Sequence, residues 1–240
     1  MTSLTRLGGC AALCAGLMSA PAATAGSTTG YVSALSEYVY RGIVAEGGAA
    51  LHALVHHHAD NGLFGGLFAA NANQFGGSEF DVYAGYAHTF NEHVVLEGGA
   101  LYYFLTEAKE DLTLNPGRRN LDTLEAYLAL HAGPVQLDFY YSPDYFATRS
   151  EAYYYSATVS HDVGELFSVA LQAGYTEGNG AIALYGDRYV DYSLTASRVI
   201  DEGLTLSLAF IGTDLEGGPL FPGTRDDPKA VVSLQKDFAF

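Results

Sequence analysis

The feature that most constrains this chain is a period-two alternation that runs across a tight turn between residues 121 and 146. In the first arm Leu124, Ala126, Leu128 and Leu130 fall on one face, and Thr123, Glu125, Tyr127, Ala129 and His131 on the other. After Ala132-Gly133-Pro134, the residues Val135, Leu137, Phe139 and Tyr141 oppose Gln136, Asp138, Tyr140 and Ser142. Such alternation on both sides of a turn makes a strand hairpin, since a helix repeats every 3.6 residues. Arms of about 9–11 residues with one apolar face and aromatic ends suit tilted strands that cross a bilayer. The expectation is a hairpin of a membrane-spanning β-barrel.

The same phase recurs along the chain. Residues 31–41 read as a strand, with Val32, Ala34, Tyr38 and Tyr40 against Ser33, Glu37 and Arg41, followed by a loop over 42–50. Residues 51–58 return, Asp60-Asn61-Gly62 signals a turn, and 63–73 run out again. Phe80, Val82, Ala84 and Tyr86 oppose Asp81, Tyr83 and Gly85; Leu96, Ala100, Tyr102 and Phe104 oppose Glu97, Gly99 and Tyr103. Beyond the central hairpin come strands over 153–161, 167–176, 189–199, 204–213 and 229–240. The fold class expected is all-β, an antiparallel up-and-down transmembrane barrel of about twelve strands.

Loop lengths support this. Turns at 59–62, 91–93, 132–134, 162–165 and 201–203 are short, while the connections around 42–50, 74–78, 106–120, 147–150, 177–188 and 214–228 are mostly longer. Short turns on one side and long loops on the other is the asymmetry of outer-membrane barrels, and an even strand count puts both termini on the short-turn side. A sandwich has no reason to sort its loops so.

Residues 1–25 read as a secretory signal. Arg6 supplies the charge, 7–20 a weakly apolar stretch, and Ala23-Thr24-Ala25 a small-residue cleavage site near Ala25. Leu7-Gly8-Gly9-Cys10 has too little apolar sequence before it for a lipoprotein site. Both cysteines, Cys10 and Cys14, lie in this segment, so residues 26–240 form one thiol-free domain. Its acidity, with a formal charge of −16 for the whole chain, excludes nucleic acid as a partner. Beyond the signal no run of 18 apolar residues offers a transmembrane helix.

The C-terminal strand ends Leu234-Gln235-Lys236-Asp237-Phe238-Ala239-Phe240. A terminal Phe with apolar residues at alternate upstream positions is the strand that the barrel assembly machinery reads, so Phe238 and Phe240 are the expected assembly signal. Lys236 breaks the outward row and can snorkel near the membrane edge.

Several motifs carry a family likeness. Glu37-Tyr38-Val39-Tyr40-Arg41-Gly42-Ile43, Glu79-Phe80-Asp81-Val82-Tyr83-Ala84-Gly85-Tyr86, Tyr140-Tyr141-Ser142-Pro143-Asp144-Tyr145-Phe146 and Tyr189-Val190-Asp191-Tyr192-Ser193 resemble the TorF-type porin family, also known as the Gcw_chp domain of unknown function. The resemblance spans nearly all of 26–240 and implies a Gram-negative outer-membrane barrel, with little said about substrate. The absence of Trp and the His-rich second strand depart from the pattern.

The faces assign roles. Glu37, Arg41, Asp81, Glu97, Glu125, Asp138, Asp191 and Asp237 are expected to line the lumen, because a charge facing lipid near the midplane costs about 2–4 kcal/mol. An acidic lumen points to a porin passing small solutes or ions and favouring cations, with outer-membrane lipid and the assembly machinery as its other partners. Two further classes stay open: a closed structural or adhesive barrel acting through its outer loops, and a barrel hydrolase. Ser160-His161-Asp162 suggests the latter, but adjacent strand residues point apart. For His56-His57-His58 the same geometry leaves only His56 and His58, with His52, on one face, and a polar lining is the simpler reading. Gly174, Gly178 and Gly180 fit turns and close packing, with no phosphate loop. No catalytic residue, metal or cofactor is expected.

Overall fold

The computed structural model describes residues 26–75, 77–106, 121–216 and 228–240. The expected signal segment with Cys10 and Cys14, and most of the loops expected at 106–120 and 214–228, lie outside these residues. Twelve strands close into one antiparallel barrel: β1 (Ser27–Leu35), β4 (Ala50–His58), β5 (Leu63–Asn71), β6 (Ser78–Asn91), β7 (Val94–Leu105), β8 (Thr123–Ala132), β9 (Val135–Ser142), β10 (Ala152–Val163), β11 (Phe167–Glu177), β12 (Tyr189–Asp201), β13 (Leu204–Thr213) and β14 (Lys229–Ala239). Two short strands, β2 (Tyr38–Tyr40) and β3 (Ile43–Glu46), form a separate two-stranded sheet.

Each wall strand pairs with its sequence neighbour, and β14 closes the ring on β1 from Thr29↔Ala239 to Leu35↔Ser233. Closure leaves every wall strand paired on both sides, which a bilayer demands because its core offers no water to satisfy free N–H and C=O groups. The alternation sets the two faces. On β8 the outward Leu128 is 53% exposed and the inward Glu125 only 1%. Val82, Leu137, Leu171, Leu194 and Phe210 are likewise exposed on the outside.

Tight packing on the wall relies on Tyr-over-Gly pairs. Tyr83 pairs directly with Gly66 and Tyr127 with Gly99, and a Cβ on Gly99 would sit 2.8 Å from the Tyr127 hydroxyl. The missing side chain lets each ring lie flat on the neighbouring strand instead of crossing the interior.

The expected strand over 31–41 is corrected. The wall strand β1 ends at Leu35, where Ser36 N donates to Val232 O and Ser36 Oγ accepts from Val232 N. The chain then leaves the wall. Tyr38 to Tyr40 and Ile43 to Glu46 form a hairpin turned at Arg41-Gly42, with Tyr40 opposite Ile43. Both turn residues have positive φ, 47° and 79°, as a two-residue I′ hairpin turn requires. Tyr38, Val39 and Tyr40 are buried on both faces, because this hairpin is folded into the barrel.

Other outer connections follow it inward. A 3-10 turn at Tyr145–Ala147 and the short helix α1 (Asn179–Tyr185) bury Tyr145, Phe146, Leu184 and Tyr185. The short turns at the opposite end stay outside the interior, with Gly133 and Gly164 in positive φ and open space around them.

Candidate functional site

The candidate site is the barrel interior, and Arg41 lies at its centre. At the hairpin tip its Nη1 donates to Glu125 Oε1 at 2.9 Å and its Nη2 to Glu125 Oε2 at 2.8 Å. Tyr103 adds a 3.0 Å hydrogen bond to Oε2, and Tyr40 OH lies 3.2 Å from Tyr103 OH. The guanidinium also packs over three rings, 4.8 Å from the Tyr40 centroid, 5.0 Å from Tyr140 and 4.2 Å from Tyr154. Burial opposes the charge on Arg41, and the paired Glu125 carboxylate favours it. The bidentate geometry matches the planar fork to the carboxylate, which Lys could not do.

The hairpin reaches most of the wall. Tyr38 donates to Glu79 of β6 at 3.3 Å and meets His52 of β4 edge-on at 4.5 Å. Tyr40 packs against Tyr103, Phe75 and Phe146. A Cβ on Gly42 would come 2.9 Å from Asp191 Cβ and 3.0 Å from Thr213 Cβ, on β12 and β13. Contacts therefore run to β4, β6, β7, β8, β9, β10, β12 and β13 across the interior.

The remaining expected lining residues separate by depth. Asp81, Glu97, Glu125, Asp138 and Asp191 are all buried on the inward face of wall strands. Asp138 accepts from Gln136 at 2.9 Å and Ser156 at 2.8 Å; Asp191 accepts from Tyr154 at 3.3 Å. Glu97 Oε2 lies 3.9 Å from His131 Nε2. The strand placement of Glu37 and Arg41 is corrected: the chain has left the wall after Leu35, so Arg41 enters the interior from the hairpin instead of from a wall strand. Glu37 sits half-buried in the connector before β2. Asp237 keeps the inward phase but is exposed near the short-turn rim, accepting from Gln235 at 2.8 Å. Phe238 and Phe240 point outward from β14, and Phe240 N donates to Thr28 O at 3.0 Å.

Sequence reasoning missed Glu79, which is buried beside Asp81 and receives Tyr38, and Lys229, which shares the inward phase at the outer end of β14. Glu79 follows the phase of Asp81 and could have been read from it. His52, His56 and His58 face inward together, with His56 Nδ1 2.9 Å from Tyr83 OH. Among the described residues no three His, Cys, Asp or Glu side chains form a metal-binding group. Ser160 and His161 sit on opposite faces near the short-turn end, so the chain does not assemble them with Asp162. Arg198 takes the outward phase, 5.1 Å above the Phe167 ring, and Lys236 does too, donating to Glu202 O at 2.5 Å.

A closed twelve-stranded antiparallel barrel with an apolar exterior, short turns at one end and a charged interior has the fold of outer-membrane porins. The chain belongs to the Gcw_chp family, described as a bacterial protein of unknown function, whose model matches residues 19–238. Among solved structures it is similar to the KdgM porin in complex with disordered oligogalacturonate, at 12% identity and a TM-score of 0.56, covering 88% of this chain and 99% of that one. It is also similar to the NanC porin, at 12% identity and a TM-score of 0.53, covering 89% and 99%. No curated protein matches the sequence.

Proposed function

We propose that this protein is an outer-membrane channel for small solutes that favours cations and neutral molecules over anions. On this reading residues 1–25 are removed on export, and the barrel sits in outer-membrane lipid after insertion by the assembly machinery. The observation that carries the selectivity is the balance of inward charge. Glu79, Asp81, Glu97, Asp138 and Asp191 are buried on the inner face, whereas the guanidinium among them, Arg41, is already neutralised by Glu125 and the other inward cation, Lys229, stands apart at the outer end of β14. Like charge in a confined lumen repels far more than in bulk water, and a preference of about 1 kcal/mol is a factor of roughly five. KdgM has been solved with oligogalacturonate, a polyanion. The acidic interior here supports a different cargo class.

Reversal potentials under a salt gradient test this in planar bilayers. The channel should be cation-selective, and the double variant Glu97→Gln/Asp138→Asn should lose much of that preference. Raising the salt should blunt it in both. An anion-selective pore overturns the electrostatic reading.

A further inference from the structure

We propose that the β2–β3 hairpin is a hinged gate of the channel, held shut by the Arg41–Glu125 pair. The inference rests on the channel reading and adds a closing element to it.

Three observations argue for a releasable element instead of a permanent filling. First, the hairpin hangs from the wall by two short connectors with fixed outer ends: half-buried Glu37 after Ser36, which is pinned to Val232, and the exposed Gly47-Gly48 before Ala49, whose O accepts from Asn71 Nδ2 at 3.2 Å. A Cβ on Gly47 or Gly48 would meet nothing closer than 3.8 Å, so neither glycine is there for close packing. Two adjacent glycines in an open connector supply backbone freedom.

Second, the hairpin has little stability of its own. Within itself it is held by three pairs, Tyr38↔Glu46, Val39↔Val44 and Tyr40↔Ile43, with an irregularity after Tyr38. An isolated two-stranded hairpin is marginal. Its turn also places Arg41 at φ 47°, a left-handed conformation that disfavours a residue with a Cβ. What keeps the conformation is the interior it meets.

Third, the main polar anchor is a charge pair. Arg41 and Glu125 are both almost wholly buried. A plug meant only to fill would be at least as stable with apolar groups there, because desolvating two ions consumes most of their attraction. A pair that is strong when formed and free to rehydrate when separated suits a two-state contact.

Tyr38 to Glu79, and Tyr40 against Phe75, Tyr103 and Phe146, complete the closed state. The neighbouring connection is tied to the hairpin through Asn73 Nδ2 to Glu46 Oε2 at 2.5 Å and Gln74 N to Ala45 O at 2.8 Å. Movement of the hairpin would therefore carry residues 72–75 with it.

The test uses the refolded full barrel in planar bilayers, with heat-modifiable migration to show that each variant is folded. Both native cysteines lie in residues 1–25, which makes a tether clean. The Gly42 Cβ position lies 3.0 Å from Thr213 Cβ, and a disulfide needs about 3.5–4.5 Å, so Gly42→Cys/Thr213→Cys requires a small adjustment. Oxidised, this variant should be silent or nearly so, and a reductant should restore conductance. Arg41→Gln and Glu125→Gln should each raise open probability severalfold, and the double variant no further, since both break one contact. Replacing residues 38–46 by a short Gly-Ser linker should give the largest conductance and does not depend on the strained turn tolerating Cys. Equal conductance in wild type, tethered, Arg41→Gln and linker forms overturns the gate and leaves the channel reading standing. No conductance even from the linker form overturns the channel reading, and the gate falls with it.

Discussion

The two halves of this barrel are built from the same wall but filled by different means. Toward the long-connection end, the interior is a packed protein core contributed by segments outside the wall: Tyr40, Phe75, Tyr145, Phe146 and Tyr185 stack there around the Arg41–Glu125 pair. Toward the short-turn end, the interior among the described residues comes from the wall. There Ser197 Oγ lies 2.9 Å from Ser207 Oγ, Ser156 donates to Asp138, and Ser233, Thr158 and Thr195 add small hydroxyl groups. Short turns have no spare chain to fold inward, whereas a long connection has. The difference teaches that loop length in such a barrel sets where its interior can be closed. The wall sets the chemistry along the path, and the folded-in connections set whether the path is continuous.

The sharpest way to break the contrast is to remove one partner of the outer-half ion pair. Arg41→Met leaves Glu125 buried and uncompensated, a loss expected to cost about 3–5 kcal/mol. Arg41→Met/Glu125→Leu should recover most of it, because an apolar pair of similar volume is often as stable as the ions it replaces. Urea unfolding in detergent micelles, followed by far-UV circular dichroism, reads both. If the single variant costs no more than the double, the outer half is not organised around that pair.

A smaller effect is expected in the short-turn half, where packing lies within the wall. A Cβ on Gly66 would overlap the Tyr83 hydroxyl and sit 2.6 Å from the Val55 carbonyl oxygen. Gly66→Ala should therefore force the ring off the wall and disturb its contact with His56, costing about 1–3 kcal/mol as overpacking does. The same unfolding experiment applies. A neutral substitution would mean that the ring is free to stand into the interior.

These contrasts also show where the fold was legible in the sequence and where it was not. The twelve wall strands and their two faces follow from local period-two patterns, since a one-residue slip would turn the outward Leu128 and Leu137 inward and carry Glu125 and Asp138 into lipid. The inward phase of Asp81, Glu97, Glu125, Asp138 and Asp191 is part of the same pattern. The hairpin was not legible in that way. Tyr38-Val39-Tyr40 alternates much as a wall strand does, so it reads as the continuation of β1, and only burial of both faces reveals an interior position. Arg41-Gly42 is a hairpin-turn signal of the Xaa-Gly kind, with Ile43-Val44 after it. It was masked by the apparent continuity before it. The 3-10 turn and α1 gave even less notice, because Phe146, Ala147 and Arg149 adopt positive φ without glycine, a choice imposed by tertiary contacts such as Phe146 N to Thr123 Oγ1 at 2.7 Å.

The smallest expected change in folded stability lies at the far end of the chain, and it separates stability from assembly. Phe240 points outward, is 81% exposed, and contributes one backbone bond from its N to Thr28 O beyond the last β1–β14 pair, Thr29↔Ala239. Deleting it removes a single hydrogen bond at a fraying edge, worth about 0.5–1.5 kcal/mol at most. The unfolding midpoint of barrel already inserted should hardly move. Insertion is a different matter, because closure requires β14 to meet β1 and the terminal aromatic residue is what the assembly machinery is expected to engage. Cells expressing the deletion should show less heat-modifiable barrel in the outer-membrane fraction, and Phe240→Tyr should restore it. If the fraction is unchanged, Phe240 has no part in assembly. A fall in yield together with a large fall in the unfolding midpoint would instead make it a structural residue of the β1–β14 seam.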